Sequence, residues 1–359
     1  MADLMNGTAE YEELVNKYGN FLVPAMKIKS GGTELISSLD LSVTELTVTL
    51  SLESAGMAII RLGAEYDIKS HSFNSKVKNS FKLGTILEIE VGYLSATTAV
   101  FKGYIAGVGA EFGELPLIVV KVMDVRKLMM TSGVKRALYE DKNYSDVFKK
   151  VIGNYSKLCS AVCDATDDKL VSPISQSTND YDFVKKELIK KGKSDREFFV
   201  LYDKAYFRKP CSSKTPIMSV NFGRELLRFG MMADYLDTSI NVIGYDPVNC
   251  KDITSKVTAK TTEKYTPVLS PTPSQFFIDA DADSESKAKT RAGAIAEKLT
   301  MDACFAEGEL IGIPEIVPGR YLQIKDLEDM ADKKYYLSEV THRVTESRFS
   351  TFFEARGWA

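Results

Sequence analysis

Strict alternation of apolar and polar positions marks the first third of the chain. In "ELTVTLSLE", Glu45 to Glu53, Leu46, Val48, Leu50 and Leu52 fall on one face of a strand, and Thr47, Thr49 and Ser51 on the other. "GTILEIEVGYL" repeats the device, with Leu87, Ile89 and Val91 set against Ile86, Glu88 and Glu90. "AVFKGYIAGVGAEFGELPLIVVKVMD" reads as two strands around a glycine-rich turn region, Gly107 to Gly113. Short strands this closely spaced predict an antiparallel barrel or sandwich, because closure removes exposed edges.

The period changes in the middle. "NYSDVFKKVIGNY" places Val147, Val151 and Tyr155 at helical spacing, with Phe148 and Ile152 beside them and Asn143 or Ser145 to cap. "NDYDFVKKELIKKG" has Asn179 or Asp180 to cap, Tyr181, Val184 and Leu188 on one face, and Gly192 to stop. "REFFVLYDKAYFRKP" predicts a hairpin turning near Asp203-Lys204, and "TPIMSVNFGRELLRF" follows it. Strands return in "DTSINVIGYDP" and from "GIPEIVPGRYLQIKD" to the end. A Thr/Ser/Pro-rich stretch (260–275) and a helix from about Ser284 to Leu299 interrupt them; Ala288, Ala292, Ile295 and Leu299 give that helix its apolar face. The expected division is an N-terminal extension (1–19), a first β domain (20–125), an α+β domain (126–233) and a second β domain (234–359) carrying a linker and helix at about 260–302.

Bulk composition narrows the function classes. The 359 residues include 46 basic and 49 acidic ones, a net charge of -3 with no long run of either sign. That argues against a polybasic surface for nucleic acid or an anionic membrane. No stretch approaches the roughly 18 uninterrupted apolar residues of a membrane span. The opening "MADLMNGTAEYEELVNKYGN" is acidic and polar, unlike a secretory signal, which points to synthesis in the cytoplasm. Five scattered cysteines (Cys159, Cys163, Cys211, Cys250, Cys304) do not resemble a disulfide framework and read as reduced.

Candidate chemistry is thin. "FFIDADADSESKAKT" sets Asp279, Asp281 and Asp283 at positions 1, 3 and 5 of a calcium loop, but Ser284 and Thr290 stand where Gly and Glu are needed. The alternative is an acidic helix start. Cys159 and Cys163 in "CSAVC" lack a second ligand pair for zinc and read as part-buried thiols. Gly103, Gly107, Gly109 and Gly113 form no phosphate loop, and no G-x-S-x-G, H-E-x-x-H or Walker A pattern occurs. A glycosidase pair cannot be picked out of 49 acidic residues. His342 shares a strand face with Val340 and Val344, with Glu339, Thr341 and Arg343 opposite, so it reads as a buried structural histidine rather than a catalytic base. No catalytic, cofactor or metal residue is assigned.

The order of motifs resembles the phage late control protein D family, and with it the hub half of VgrG proteins and the T-even baseplate hub. The positions that carry this are Gln176, Asp180, Tyr181, Phe183, Gly192, Phe207 and Pro210 in the middle. Gly312, Pro314, Pro318, Gly319, Tyr336, Val340, His342 and Thr351 follow near the end. Phe349 stands where the family usually has tyrosine, and Leu337-Ser338 where its strand is more hydrophobic. The resemblance covers about residues 20 to 357. It implies a mainly β fold with an α+β insert and two tube-like β-barrel domains related by pseudo-symmetry. It also implies a homotrimer forming a pseudo-sixfold ring at the tip of a contractile tail. The implied partners are tail tube, baseplate and a trimeric spike, with a tape measure or cargo passing through the lumen; no specific nucleic acid and no membrane insertion are implied. The chain ends at Ala359, just after the second β domain, so the spike is expected on a separate polypeptide and no enzymatic activity is expected here. The particle type, whether phage, bacteriocin or injection system, stays open. Two other classes stay in view: a peptidoglycan-cleaving tail-tip enzyme and a β-rich receptor- or glycan-binding module.

Overall fold

The computed structural model describes residues 4–63, 66–141, 143–166, 173–210 and 214–358. It is mainly β, and its largest element is a 13-stranded sheet. In chain order the main strands are β1 (Pro24–Ser30), β2 (Ser42–Ser51), β3 (Met57–Gly63), β4 (Ile86–Tyr93), β5 (Ala96–Glu111), β6 (Leu117–Met123), β7 (Pro216–Asn221), β8 (Leu226–Ala233), β9 (Cys304–Ile311), β10 (Tyr321–Lys325), β11 (Lys334–Thr345) and β12 (Phe349–Trp358). Thr33–Glu34 adds a short edge to β1.

The sheet runs β8-β9-β12-β11-β2-β3-β6-β5-β4-β1, with β10 pairing both β11 and β7. Each end of the chain builds a similar wall. One is β2-β3-β6-β5, the other β11-β12-β9-β8. In each wall one long strand bends into a further layer, where β5 pairs β4 and β1 follows, and where β11 pairs β10 and β7 follows. Register shifts mark the bends, at Ile105/Gly107 in β5 and at Tyr335/Leu337 and Leu337/Glu339 in β11. A bulge inserts the extra residue that lets a strand turn out of one sheet into the next.

The two walls meet at the β11–β2 seam, where Val340, His342 and Val344 pair with Leu50, Val48 and Leu46. All six side chains are buried. On the opposite face of the seam the Thr49 and Thr341 hydroxyls are 3.1 Å apart, a cross-strand hydrogen bond.

Three findings adjust the reading of the sequence. Gly107 and Gly109 lie inside β5, opposite Lys121 and Val119, because β6 supplies partners up to Glu111; the turn comes after that residue. β7 and β8 belong to the large sheet, although their position suggests the α+β segment. "DTSINVIGYDP" does not join the large sheet. It forms Asp237–Asp246 of a three-stranded sheet with Lys251–Lys260 and Ser274–Ile278. Helix α3 (Glu285–Asp302) covers that sheet through Ala288, Ala292 and Ala296, small residues that let helix and strands approach closely.

Residues 125–210 hold their own core of Phe148, Phe183, Phe198, Phe207 and aliphatic neighbours. Helix α2 (Tyr144–Gly153) is capped by Asn143, whose side chain accepts from the Asp146 amide. Asn179 caps the next helix in the same way, and from Phe183 to Gly192 that helix winds as a π-helix. Gly192 ends it where a Cβ would lie 2.4 Å from the Tyr144 ring.

Candidate functional site

His342 is fully buried, with Nδ1 3.0 Å from the Thr351 hydroxyl. Burial drives its pKa down from 6.5 to about 4, against a small upward pull from the Ile316 carbonyl, so the ring is neutral at pH 7. Its setting explains why it is there. Residues 312–320, which hold the "GIPEIVPGR" motif, are all buried. A buried loop must find partners for its backbone within the protein. Gly312 N–H donates to Phe349 O (2.9 Å), Ile313 N–H to Thr351 Oγ1 (3.0 Å) and Gly319 N–H to Leu337 O (2.8 Å). With Nε2 protonated, the Thr351 hydroxyl accepts from Ile313 and donates to His342 Nδ1, satisfying both. Gly312 leaves no room for a side chain: a Cβ would sit 2.0 Å from the Phe349 ring.

The same loop ties the molecule together. Glu315 Oε1 accepts from Tyr18 Oη and Lys17 Nζ, both at 2.7 Å. Arg320, also buried, donates to the carbonyls of Leu4 and Gly7 at 2.9 Å each. Helix α1 (Tyr11–Lys17) and the residues around it are thereby docked, with Leu4, Met5, Leu14 and Tyr18 in the main core. Arg208 donates to the Gly319 carbonyl and to Glu197 (3.0 Å), and Tyr336 Oη donates to Glu197 (2.8 Å). Burial pushes the Glu197 carboxyl up despite the adjacent guanidinium.

The middle motif is a second buried network. Gln176 Nε2 donates to Asp180 Oδ1 (2.8 Å), Tyr155 Oη to Asp180 Oδ2 (2.5 Å), and Lys135 pairs with the same carboxylate. Tyr139 Oη donates to Gln176 Oε1 (2.9 Å). Asp124 and Arg126 form a further buried pair, tying Gly56 N–H and the Ser51 carbonyl to the helix at Val125–Thr131. Alternation alone gave no signal for Arg126 or Arg320, since arginine normally marks the solvent side of a pattern.

The remaining sequence candidates fall into structural roles. Asp279 pairs with Arg291 (2.6 Å) and Asp283 with Lys287 (2.7 Å), while Ser284 Oγ accepts from the Lys287 amide to cap α3. Asp281 stands in the turn, its N–H on Asp279 Oδ1 at 3.0 Å. Burial pushes the Cys159 thiol up to about 12 and raises Cys163 as well, so neither is primed as a nucleophile. Cys211 lies outside the described residues. His71 sits in an exposed turn at φ 48°. Among the described residues no group of three or more His, Cys, Asp or Glu is arranged to hold a metal ion, and no helix is long and apolar enough to cross a membrane.

What the fold leaves open is a wall rather than a pocket. In the run β8-β9-β12-β11-β2-β3-β6-β5 one face packs on the core, and the other mixes charged and hydroxyl side chains with half-buried apolar ones, Met57, Ile59, Val119 and Phe352 among them. On that face Arg343 pairs with Glu45 (2.7 Å), and Arg61 bridges Glu45 (3.3 Å) and Glu111 (3.4 Å). Three glutamates stand in register on adjacent strands, Glu307 opposite Glu354 and Glu354 opposite Glu339, beside a shallow cleft of about 210 Å³. Burial, and then the charge of Glu354, raises the Glu339 carboxyl. Among the described residues both ends of the run are free edges. β8 ends the pairing path, and residues 106–111 of β5 have β6 on one side and no strand on the other among the described residues.

A family model described as the Alg8 N-terminal domain matches residues 21–346. None of the curated proteins matches. Solved structures do. The tail protein from Neisseria meningitidis MC58 superposes with a TM-score of 0.69 at 11% identity, covering 93% of this chain and 97% of that one. The 43 kDa tail protein of prophage MuSo2 from Shewanella oneidensis gives 0.68 at 12%, covering 92% and 98%. The E. coli c3393 protein gives 0.55 at 12%, covering 93% and 77%. It is described as a type VI secretion component similar in structure to the T4 tail proteins gp27 and gp5. At these identities the likeness is one of fold: a β-rich architecture shared along nearly the whole chain.

Proposed function

The chain belongs to the Alg8 N-terminal domain family, and from its tail-protein fold we propose that it is a structural hub of a contractile tail or injection particle. In this reading three copies form a ring of late control protein D type. Residues 20–125 and 234–359 of each copy supply its two tube-like halves, the second completed by β7 and β8. The α+β part, from residue 126 on, sits between them in sequence. One side of the ring meets a sixfold tail tube, the other a trimeric spike, with baseplate proteins around it.

One observation carries the reading. The run from β8 to β5 has eight strands, and every pairing along it is antiparallel. An even number of antiparallel strands leaves two edge strands that run in opposite directions. Joining β5 of one copy to β8 of the next therefore continues the antiparallel pattern without a break and covers ladder groups that are otherwise exposed. Such a contact is heterologous, and it closes when successive rotations return to the first copy. Three copies give a wall of about 24 strands with no free edge, its solvent-side face lining the channel through which a tape measure or cargo passes.

The reading requires no catalytic residue, which separates it from a peptidoglycan-cleaving enzyme by a genetic test. Deleting the chain from a cell that makes the particle is expected to abolish assembled tails. Intact tails that merely fail to penetrate the cell wall would contradict the hub and favour the enzyme.

A further inference from the structure

The directions of the two edge strands determine which ends meet, and each of those ends carries an exposed apolar group. In an antiparallel contact the C-terminal end of β5 lies against the N-terminal end of β8 from the neighbouring copy. Just past β5, Phe112 is 69% exposed. The rings of Tyr66 and Phe73 pack on it at 5.7 and 5.8 Å, from a small hairpin (Tyr66–Asp67 with Ser72–Phe73) that has no other sheet partner among the described residues. Leu227 at the start of β8 and Phe222, just past β7 and bridged to Leu226, are 45% and 47% exposed, and a register shift between Leu226 and Arg228 leaves Leu227 outside the ladder.

Charge complements the apolar match. Glu111 closes β5 and Arg228 opens the regular part of β8, both on the solvent-side face, across from Leu117 and Glu309 respectively. Within one copy, among the described residues, each has only a long ion pair, Glu111 with Arg61 (3.4 Å) and Arg228 with Glu307 (3.9 Å), which the contact would exchange or extend. Their side chains are 52% and 79% exposed. Solvent-facing aromatic clusters on a soluble sheet mark contact sites, and an edge with apolar and ionic partners at matching ends has its register set.

We propose that the Tyr66–Phe73–Phe112 cluster of one copy docks on Phe222 and Leu227 of the next, with Glu111 facing Arg228, and so fixes the register of the ring contact. This rests on the ring reading above, and the partner is a second copy of the same chain.

The test mixes two single-cysteine proteins in a background with all five native cysteines replaced (Cys159→Ala, Cys163→Ser, Cys211→Ser, Cys250→Ser and Cys304→Ala), Phe112→Cys with Leu227→Cys, so that any disulfide must join different copies. Phe112→Cys mixed with Leu138→Cys, which lies on the α+β part, is the control. The expected result is at least tenfold more cross-linked dimer than in the control. Phe112→Glu, an exposed substitution with its fold checked by circular dichroism, should weaken assembly at least tenfold. If the parent chain forms three-copy rings, but the pair cross-links no better than the control and Phe112→Glu assembles normally, the docking is overturned and the ring stands. A parent chain that stays single under all conditions, with and without its spike, overturns both.

Discussion

Replacing Thr351 by valine changes the protein by one hydroxyl while keeping the shape of the side chain. Thr351, Ile313 and His342 are all fully buried, so water cannot replace what is lost. The Ile313 amide (3.0 Å) and His342 Nδ1 (3.0 Å) both lose their partner. An orphaned buried polar group costs about 1–3 kcal/mol, so the pair costs roughly 2–6 kcal/mol, offset by about 0.8 kcal/mol for the added methyl group. The net expectation is a loss of about 1–5 kcal/mol, concentrated in the 312–320 loop. Thr351→Ser keeps the hydroxyl and should recover most of it. Hydrogen exchange followed by mass spectrometry reads this locally and needs no two-state unfolding of a chain this long. Amides of residues 312–320 should exchange much faster in the valine variant than in the serine variant. Equal protection in both, with stability within about 0.5 kcal/mol of the parent, would refute the claim that this hydroxyl holds the loop.

The other predictions concern the same seam and wall. The depressed pKa of His342 means that its folded state favours the neutral ring. Its contribution is full above pH 6.5 and lost as pH falls to about 4, by roughly 3 kcal/mol. Urea midpoints over that range should fall more steeply for the parent than for His342→Leu, and parallel profiles would sink the assignment. Gly312→Ala forces a methyl to within 2.0 Å of the Phe349 ring and should lower the thermal midpoint by several degrees, for about 1–3 kcal/mol of overpacking; an unchanged midpoint contradicts the packing. Glu354→Gln removes the middle charge of the Glu307–Glu354–Glu339 row and should leave stability unchanged or raise it by up to about 1 kcal/mol, because like charges directly opposite are unfavourable. A clear drop in its thermal midpoint would mean that the row is held by something other than tolerated repulsion.

The alternation in β2 and β4 was readable because one face of each strand is buried and the other is not, and that difference is written residue by residue. Helix starts were readable for a similar reason, since capping is a local hydrogen bond; the structure chooses Asn143 over Ser145 and Asn179 over Asp180, and adds Ser284 as the cap of α3. Which strand pairs with which is another matter. β8 sits beside β9, more than 70 residues later, and β11 beside β2, nearly 300 residues earlier; nothing in either strand names its partner. The glycines of β5 imitate a turn because a free edge tolerates residues that carry no side chain to pack. The row of glutamates was legible strand by strand, in "CFAEGELI", "YLSEV" and "FFEAR", but only register brings Glu307, Glu354 and Glu339 together. His342 was legible as a strand residue among valines. That it steadies a buried loop, and through that loop the N-terminal helix and the α+β part, required the fold.

The hub reading depends on whether the free edges of β5 and β8 find each other in a closed set of three. Native mass spectrometry of the purified chain, alone and mixed with a trimeric spike protein from the same particle, addresses this directly. The account predicts a species at three times 39.8 kDa, free or carrying three spike chains. A single copy under both conditions, at concentrations well above those of assembly in the cell, would contradict it.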